Sequence, residues 1–211
     1  VPDIADPYEL SLPDFDVILL ASRAATYDKK MSVESICTHC NEPNMYELDL
    51  PSILSKVRLV GQDNIFEIDG LVFELRPNTV AALNTFHIKN IQSTSLLRQL
   101  HNSSDQDKLM HSEEYQNNLS IVSAANIALI ADAIVCVTTP DGTQVKDMQH
   151  IIEYVNNAKR HVITKIEEKA KALNNNGLNK TFNFTCSHEE CSKDFEGSIE
   201  FNPAFFFRNI S

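Results

Sequence analysis

The chain is poor in glycine, with 5 among 211 residues, and it has no surplus of basic charge. So few glycines leave no room for a Gly-rich loop that could cradle a phosphate. Lys and Arg number 18 against 29 Asp and Glu, a net charge of −11. A general nucleic-acid coat or an anionic membrane surface needs the opposite balance. Long apolar runs are also missing. The best, Leu119 to Val137, carries Asn126 and Asp132 and ends on Thr138-Thr139-Pro140. A bilayer span needs about twenty apolar residues, so this stretch reads as a buried core helix. Neither G-x-S-x-G nor H-E-x-x-H occurs. The acidic, proline-dotted opening, Val1 to Asp16, is not a secretory signal. Val1 in place of Met is what a fragment of a longer chain would show. Five Asn-x-Ser/Thr sequons, at Asn102, Asn118, Asn179, Asn183 and Asn209, read as chance in an Asn-rich chain.

What is present suits one domain or two small ones, since 43% of the residues are hydrophobic and 22% charged. Residues 1–12 read as an extended arm. Asp14 to Thr26 has helical apolar spacing behind Pro13. Met31 to Ile36 and Met45 to Leu50 read as strands, and a short helix follows over Pro51 to Lys56. Asp69-Gly70 between Ile65 and Leu75 is a strong hairpin signal. Thr79 to about Leu100 reads as a helix with Val80, Leu83, Ile88 and Ile91 on its apolar stripe. A polar loop over His101 to Ser112 precedes a long helix expected over Glu113 to Val137. Pro140-Asp141-Gly142 is a turn, and Val145 to Leu173 is one helix or two meeting near Asn156-Asn157. Phe182 to Phe184 and Ser198 to Phe201 are strands around a second cysteine pair.

The cysteines carry the only visible chemistry. Cys37 and Cys40 form a C-x2-C turn, and Cys186 and Cys191 a C-x4-C turn, each between two strands. Such a turn is a knuckle that places two thiolates about 3.5–4 Å apart on one side of a metal. Two knuckles make a tetrahedral four-cysteine site, which suits a structural Zn²⁺. Ordinary ribbons separate their knuckles by about 15–20 residues; here a much longer segment intervenes. The expected fold is therefore α+β: zinc-ribbon-like β-hairpins from both ends of the chain, with a β-hairpin and a helical subdomain inserted between the knuckles. The expected domains are an arm over 1–12, a composite ribbon over 13–60 and 178–211, and an insertion over 61–177. Two disulfides or idle thiols are the bland alternative. His39 and His188 lie inside the knuckles and could replace a cysteine; with four cysteines present, both read as exposed turn residues. Cys136, on the expected apolar helix, reads as an inert core residue. No catalytic residues and no enzymatic activity are expected.

Several segments taken together resemble a known family. They are the Asp16 to Arg23 helix, the C-x2-C, Glu47-Leu48-Asp49-Leu50, Phe73-Glu74-Leu75-Arg76-Pro77, Phe184-Thr185-Cys186 with Cys191, and Ile199-Glu200-Phe201-Asn202-Pro203 with Phe206-Phe207. From about Asp14 to Phe207 this is similar to the baseplate hub and hub-assembly proteins of T4-type contractile-tail bacteriophages. A second spacing of four instead of two between Cys186 and Cys191 departs from the pattern. The resemblance implies a structural subunit of the tail baseplate, at or near the hub, located in the virion and in host cytoplasm during assembly. Its partners would be other baseplate and tail proteins, in several copies of a symmetric assembly, with no nucleic acid and no membrane span. The alternatives are an assembly factor not retained in the virion, or a zinc-ribbon nucleic-acid binder. Leu10 and Leu12 in the arm, and Phe205, Phe206 and Phe207 at the other end, are the candidate partner-binding residues.

Overall fold

The computed structural model describes residue 4 and residues 6–57, 64–101 and 113–199. The chain divides into two compact units, one of residues 1–12 with 62–174 and the other of 13–61 with 175–211.

The first unit is a four-stranded sheet covered by helices. Its strands are β3 (Ile65–Ile68), β4 (Leu71–Leu75), β5 (Ile134–Thr138) and β6 (Gln144–Val145), paired in that order and antiparallel throughout. Asp69 and Gly70 both take positive φ, 49° and 77°, which is what a two-residue hairpin turn of matching twist requires. Helices α3 (Val80–His101), α4 (Glu113–Asp132), α5 (Met148–Asn157) and α6 (Arg160–Asn174) complete it. Phe73, Leu75, Ile134 and Val137 from the sheet meet Ile130 of α4, Ile151 and Val155 of α5, and Val162, Ile166 and Leu173 of α6. The Val145 to Leu173 periodicity resolves into two helices, separated where Ala158 turns extended.

Two expectations fail here. The helix expected to run from Glu113 to Val137 stops at Asp132, and Ile134 to Thr138 is a central strand. The run Ile134-Val135-Cys136-Val137-Thr138 is rich in β-branched side chains, which favour a pleated strand over a helix. Asp132 marks the stop. Its carboxylate accepts the Thr79 N–H at 2.8 Å and pairs with Arg76 at 3.0 Å, and Asn78 Nδ2 donates to the Leu129 carbonyl at 2.7 Å. Cys136 is therefore buried on a strand, not on a helix. Secondly, Ile88 and Ile91 are not on a core-facing stripe: they are 46% and 69% exposed.

The arm is also not extended throughout. Pro7–Glu9 form a 3-10 turn capped by Asp6, and the helix α1 (Leu12–Thr26) already starts at Leu12. Leu10 and Leu12 are half-buried. The Leu10 carbonyl accepts the Val80 N–H at 3.0 Å, and the Leu12 N–H donates to the Asn78 carbonyl at 2.9 Å. This stretch thus lies across the start of α3 in its own chain. Phe205, Phe206 and Phe207 lie outside the described residues.

The second unit holds α1 (Leu12–Thr26), the hairpin β1 (Lys30–Ile36) with β2 (Pro43–Asp49), α2 (Leu50–Leu54), and the hairpin β7 (Thr181–Thr185) with β8 (Asp194–Ser198). Both hairpins are antiparallel. Met31, Val33 and Leu48 on one, and Phe184 and Phe195 on the other, close over Leu19 and Leu20 of α1 and Leu50 and Ile53 of α2. Cys37 and Cys186 belong to this same core. Gly177, at φ 87°, lets the chain approach Pro13, whose Cβ would stand 3.0 Å from any added methyl.

Candidate metal centre

The two hairpins present their connecting loops to each other, and each loop carries a cysteine pair. The loops are built alike. In the first, the Cys37 N–H donates to the Glu42 carbonyl at 3.0 Å, and Asn41 takes φ 59°. In the second, the Cys186 N–H donates to the Lys193 carbonyl at 2.9 Å, and Ser192 takes φ 43°. In both, the residue after the second cysteine is left-handed and the next residue closes the loop. The two extra residues of the C-x4-C spacing are absorbed before Cys191, where the Cys191 and Ser192 N–H groups both donate to the His188 carbonyl at 3.0 and 2.9 Å. The longer spacing therefore leaves the closing geometry of the knuckle intact.

The four sulfurs lie within 4.8 Å of one another. Cys37 Sγ is 3.9 Å from Cys191 Sγ, and Cys40 Sγ is 3.6 Å from Cys186 Sγ. All four are free thiols, so the disulfide alternative is not what the chain adopts. A tetrahedron with arms of about 2.3 Å has edges of about 3.8 Å, and the two close pairs match that edge. Cys37 and Cys186 are fully buried, and Cys40 and Cys191 half-buried. The donor set fits a soft or borderline cation that takes four thiolates.

Electrostatics prepare the cluster to lose protons to such a cation. Burial pushes the Cys37 thiol up, but the N–H groups of Cys40 and His39, aided by the Cys40 and Cys186 thiols, bring it down to about 6. At Cys40 the Glu42 N–H favours the thiolate, yet burial and the sulfurs of Cys186, Cys37 and Cys191 carry it up to about 12. Cys37 and Cys40 titrate as a coupled pair, in which the first proton leaves readily and the second is held against the negative charge already present. A bound cation removes that cost. Tyr46 is raised too, by burial and then by the Cys186, Cys37 and Cys40 sulfurs.

Two residues not singled out from sequence hold the loops together. Asn44, 2% exposed, accepts on Oδ1 from the Ser187 N–H at 2.8 Å, the Ser187 hydroxyl at 2.6 Å and the Cys186 thiol at 3.6 Å. Its Nδ2 donates to the Glu42 carbonyl at 2.9 Å. One side chain thus ties the first hairpin to the second knuckle. Tyr46 stacks on Phe184 at 4.1 Å and donates its hydroxyl to the Thr185 carbonyl at 2.9 Å. The only advance signal for either was position, just past a knuckle on the returning strand. His39 and His188 are exposed, and His39 Nε2 lies 3.2 Å from the Asp194 carbonyl.

Among the described residues this is the only group of three or more Cys, His, Asp and Glu side chains arranged to hold a metal, and no helix is long and apolar enough to cross a membrane. No curated protein and no solved structure matches the chain. The model of one family, described as T4 bacteriophage base plate protein, matches residues 1–207 and so spans both units and all four cysteines. The chain belongs to the T4 bacteriophage base plate protein family.

Proposed function

We propose that this baseplate component is a structural subunit at or near the hub, and that Cys37, Cys40, Cys186 and Cys191 hold a structural Zn²⁺. The observation that carries the reading is the four-thiol cluster, built from both ends of a chain whose family is a phage baseplate family. Four thiolates close the shell of Zn²⁺ and leave no open position, which suits a clamp and not a catalyst. The ribbon-like pairing of β1–β2 with β7–β8 would then be stapled by the metal. No catalytic role is assigned to any residue: the exposed histidines of the knuckles are turn residues. The partners are other baseplate and tail proteins, met through protein surfaces and not through nucleic acid.

The test has two arms. Elemental analysis of the purified chain should give one zinc per chain, with X-ray absorption at the zinc edge showing four sulfur neighbours. Stoichiometry in purified baseplates should place the chain in the finished particle. Zinc with a nitrogen neighbour would reassign His39 or His188, and hydrolytic turnover lost on His39→Ala would overturn the structural role.

A further inference from the structure

We propose that the chain self-associates head to tail, the outer face of α3 on one copy docking on the outer face of the β1–β2 hairpin of a second copy. The two faces are described on separate units, and each carries exposed apolar side chains beside charges of opposite sign.

Helix α3 is 22 residues long, yet Ser93 is the only buried one among its described side chains. None of its described side chains belongs to the core of its unit, where the sheet meets α4, α5 and α6. It packs along α4 on its inner side, where Asn118 Nδ2 donates to the Ser93 carbonyl at 3.1 Å. Ile88 and Ile91, three residues apart and so on one face, are instead among its exposed residues. Around them stand Lys89 and Arg98, also exposed, and the helix contains no Asp or Glu at all. In a chain of net charge −11 this is a local reversal of sign.

The outer face of the first knuckle hairpin is its complement. Strand alternation turns Met31, Val33 and Leu48 inward and leaves Ile36 and Met45 outward, both 60% exposed. Pro43 pairs with Ile36 and Glu34 pairs with Met45, so the three apolar residues are contiguous. Glu34, Glu47 and Asp49 share that face with one cation, Lys30, which is itself paired with Glu47. Opposite charges around apolar centres steer and register two surfaces. In the head-to-tail arrangement each copy uses its two faces on two different neighbours, so repetition gives a ring or an open series.

The proposal does not depend on the hub assignment or on zinc. It is tested on the full chain by sedimentation velocity over a range of concentrations. The α3 variant is Lys89→Glu with Ile91→Ser; the hairpin variant is Glu34→Lys with Met45→Ser. All four residues are exposed, and unchanged circular dichroism and melting verify the fold. The wild type should associate beyond a dimer, and each variant alone should associate at least about tenfold more weakly. A mixture of the two variants retains one good α3 face and one good hairpin face, so it should form a dimer and stop there. A wild type monomeric at its solubility limit overturns the proposal and leaves baseplate membership untouched. So does a variant that still self-associates, or a mixture that stays monomeric. Should a double variant misfold, the single exchanges Lys89→Glu and Glu34→Lys, separately and combined in one chain, carry the same test: the combination should recover the association that each loses.

Discussion

Asn44 is the residue on which the cysteine unit most depends without being a ligand candidate. Its amide oxygen is the acceptor for the Ser187 N–H and hydroxyl, and its amide nitrogen holds the Glu42 carbonyl. Removing a buried partner leaves the others without hydrogen bonds, which costs about 1–3 kcal/mol for a neutral group. Asn44→Ala should therefore lower the urea midpoint by that order and loosen the second knuckle. Hydrogen exchange should show faster exchange at the Ser187 amide. Gly197 makes a second residue-level case. A Cβ there would lie 2.5 Å from Ser35 Oγ and 3.0 Å from the Phe184 ring. The hydroxyl can rotate, but the ring is held by its stack on Tyr46. Gly197→Ala should cost about 1–3 kcal/mol by overpacking, read as a lower melting temperature with unchanged circular dichroism.

Among the elements, the β3–β4 hairpin is fastened to α6 at its turn. Asp69 pairs with His161 at 3.1 Å and with Lys159 at 3.6 Å. The His161 hydrogen bond, opposed by burial and helped by both cationic partners, holds the Asp69 carboxyl below its ordinary range. A carboxylate depressed in the folded state contributes stability that is present above its unfolded value and lost as pH falls through the folded one. Asp69→Asn tolerates the same left-handed turn. It should be less stable than wild type at neutral pH, and the gap should shrink as the pH drops below about 4. Urea midpoints measured from pH 7 to pH 3 check this; a gap that widens on acidification would refute it. The same hairpin was legible in the sequence because Asp69-Gly70 and period-two alternation act locally. The end of α4 was less legible. The apolar run through Val137 fits a buried helix as well as a strand, and what ends the helix is Asp132 engaged by Arg76, Asn78 and Thr79, all more than fifty positions earlier. Ile88 and Ile91 mislead for a related reason. Their helical spacing is real, but periodicity does not say which surface covers the stripe. The cysteine pairs were readable from spacing alone, whereas Asn44 was not, since its partner Ser187 lies 143 residues away.

For the whole molecule, the decisive feature is that the cysteine unit is assembled from two distant stretches of chain. Sulfur pairs separated by 146 and 154 residues meet in it. A cross-link closing so long a loop constrains the unfolded chain strongly, and a metal held by both stretches stabilises the fold by the free energy of its binding. Chelation should therefore lower the melting temperature and expose the cysteine unit to protease before the other unit. Cys40→Ser and Cys191→Ser should behave alike, because each breaks the same four-thiol set. Unchanged melting after exhaustive chelation would show that the thiols carry no metal.

That separation also orders events on the ribosome. Cys37 and Cys40 emerge first, and the sulfurs that meet them at Cys191 and Cys186 are added 154 and 146 residues later. At about 5–20 residues per second, the first pair waits roughly 7–30 s for the second. During that interval the four-thiol set cannot be completed. A chain cut short anywhere before Cys191 lacks a full ligand set, however well its middle has folded. A metal held by all four thiols would therefore be captured only once translation has passed Cys191, and would mark such chains off from ones cut short before it.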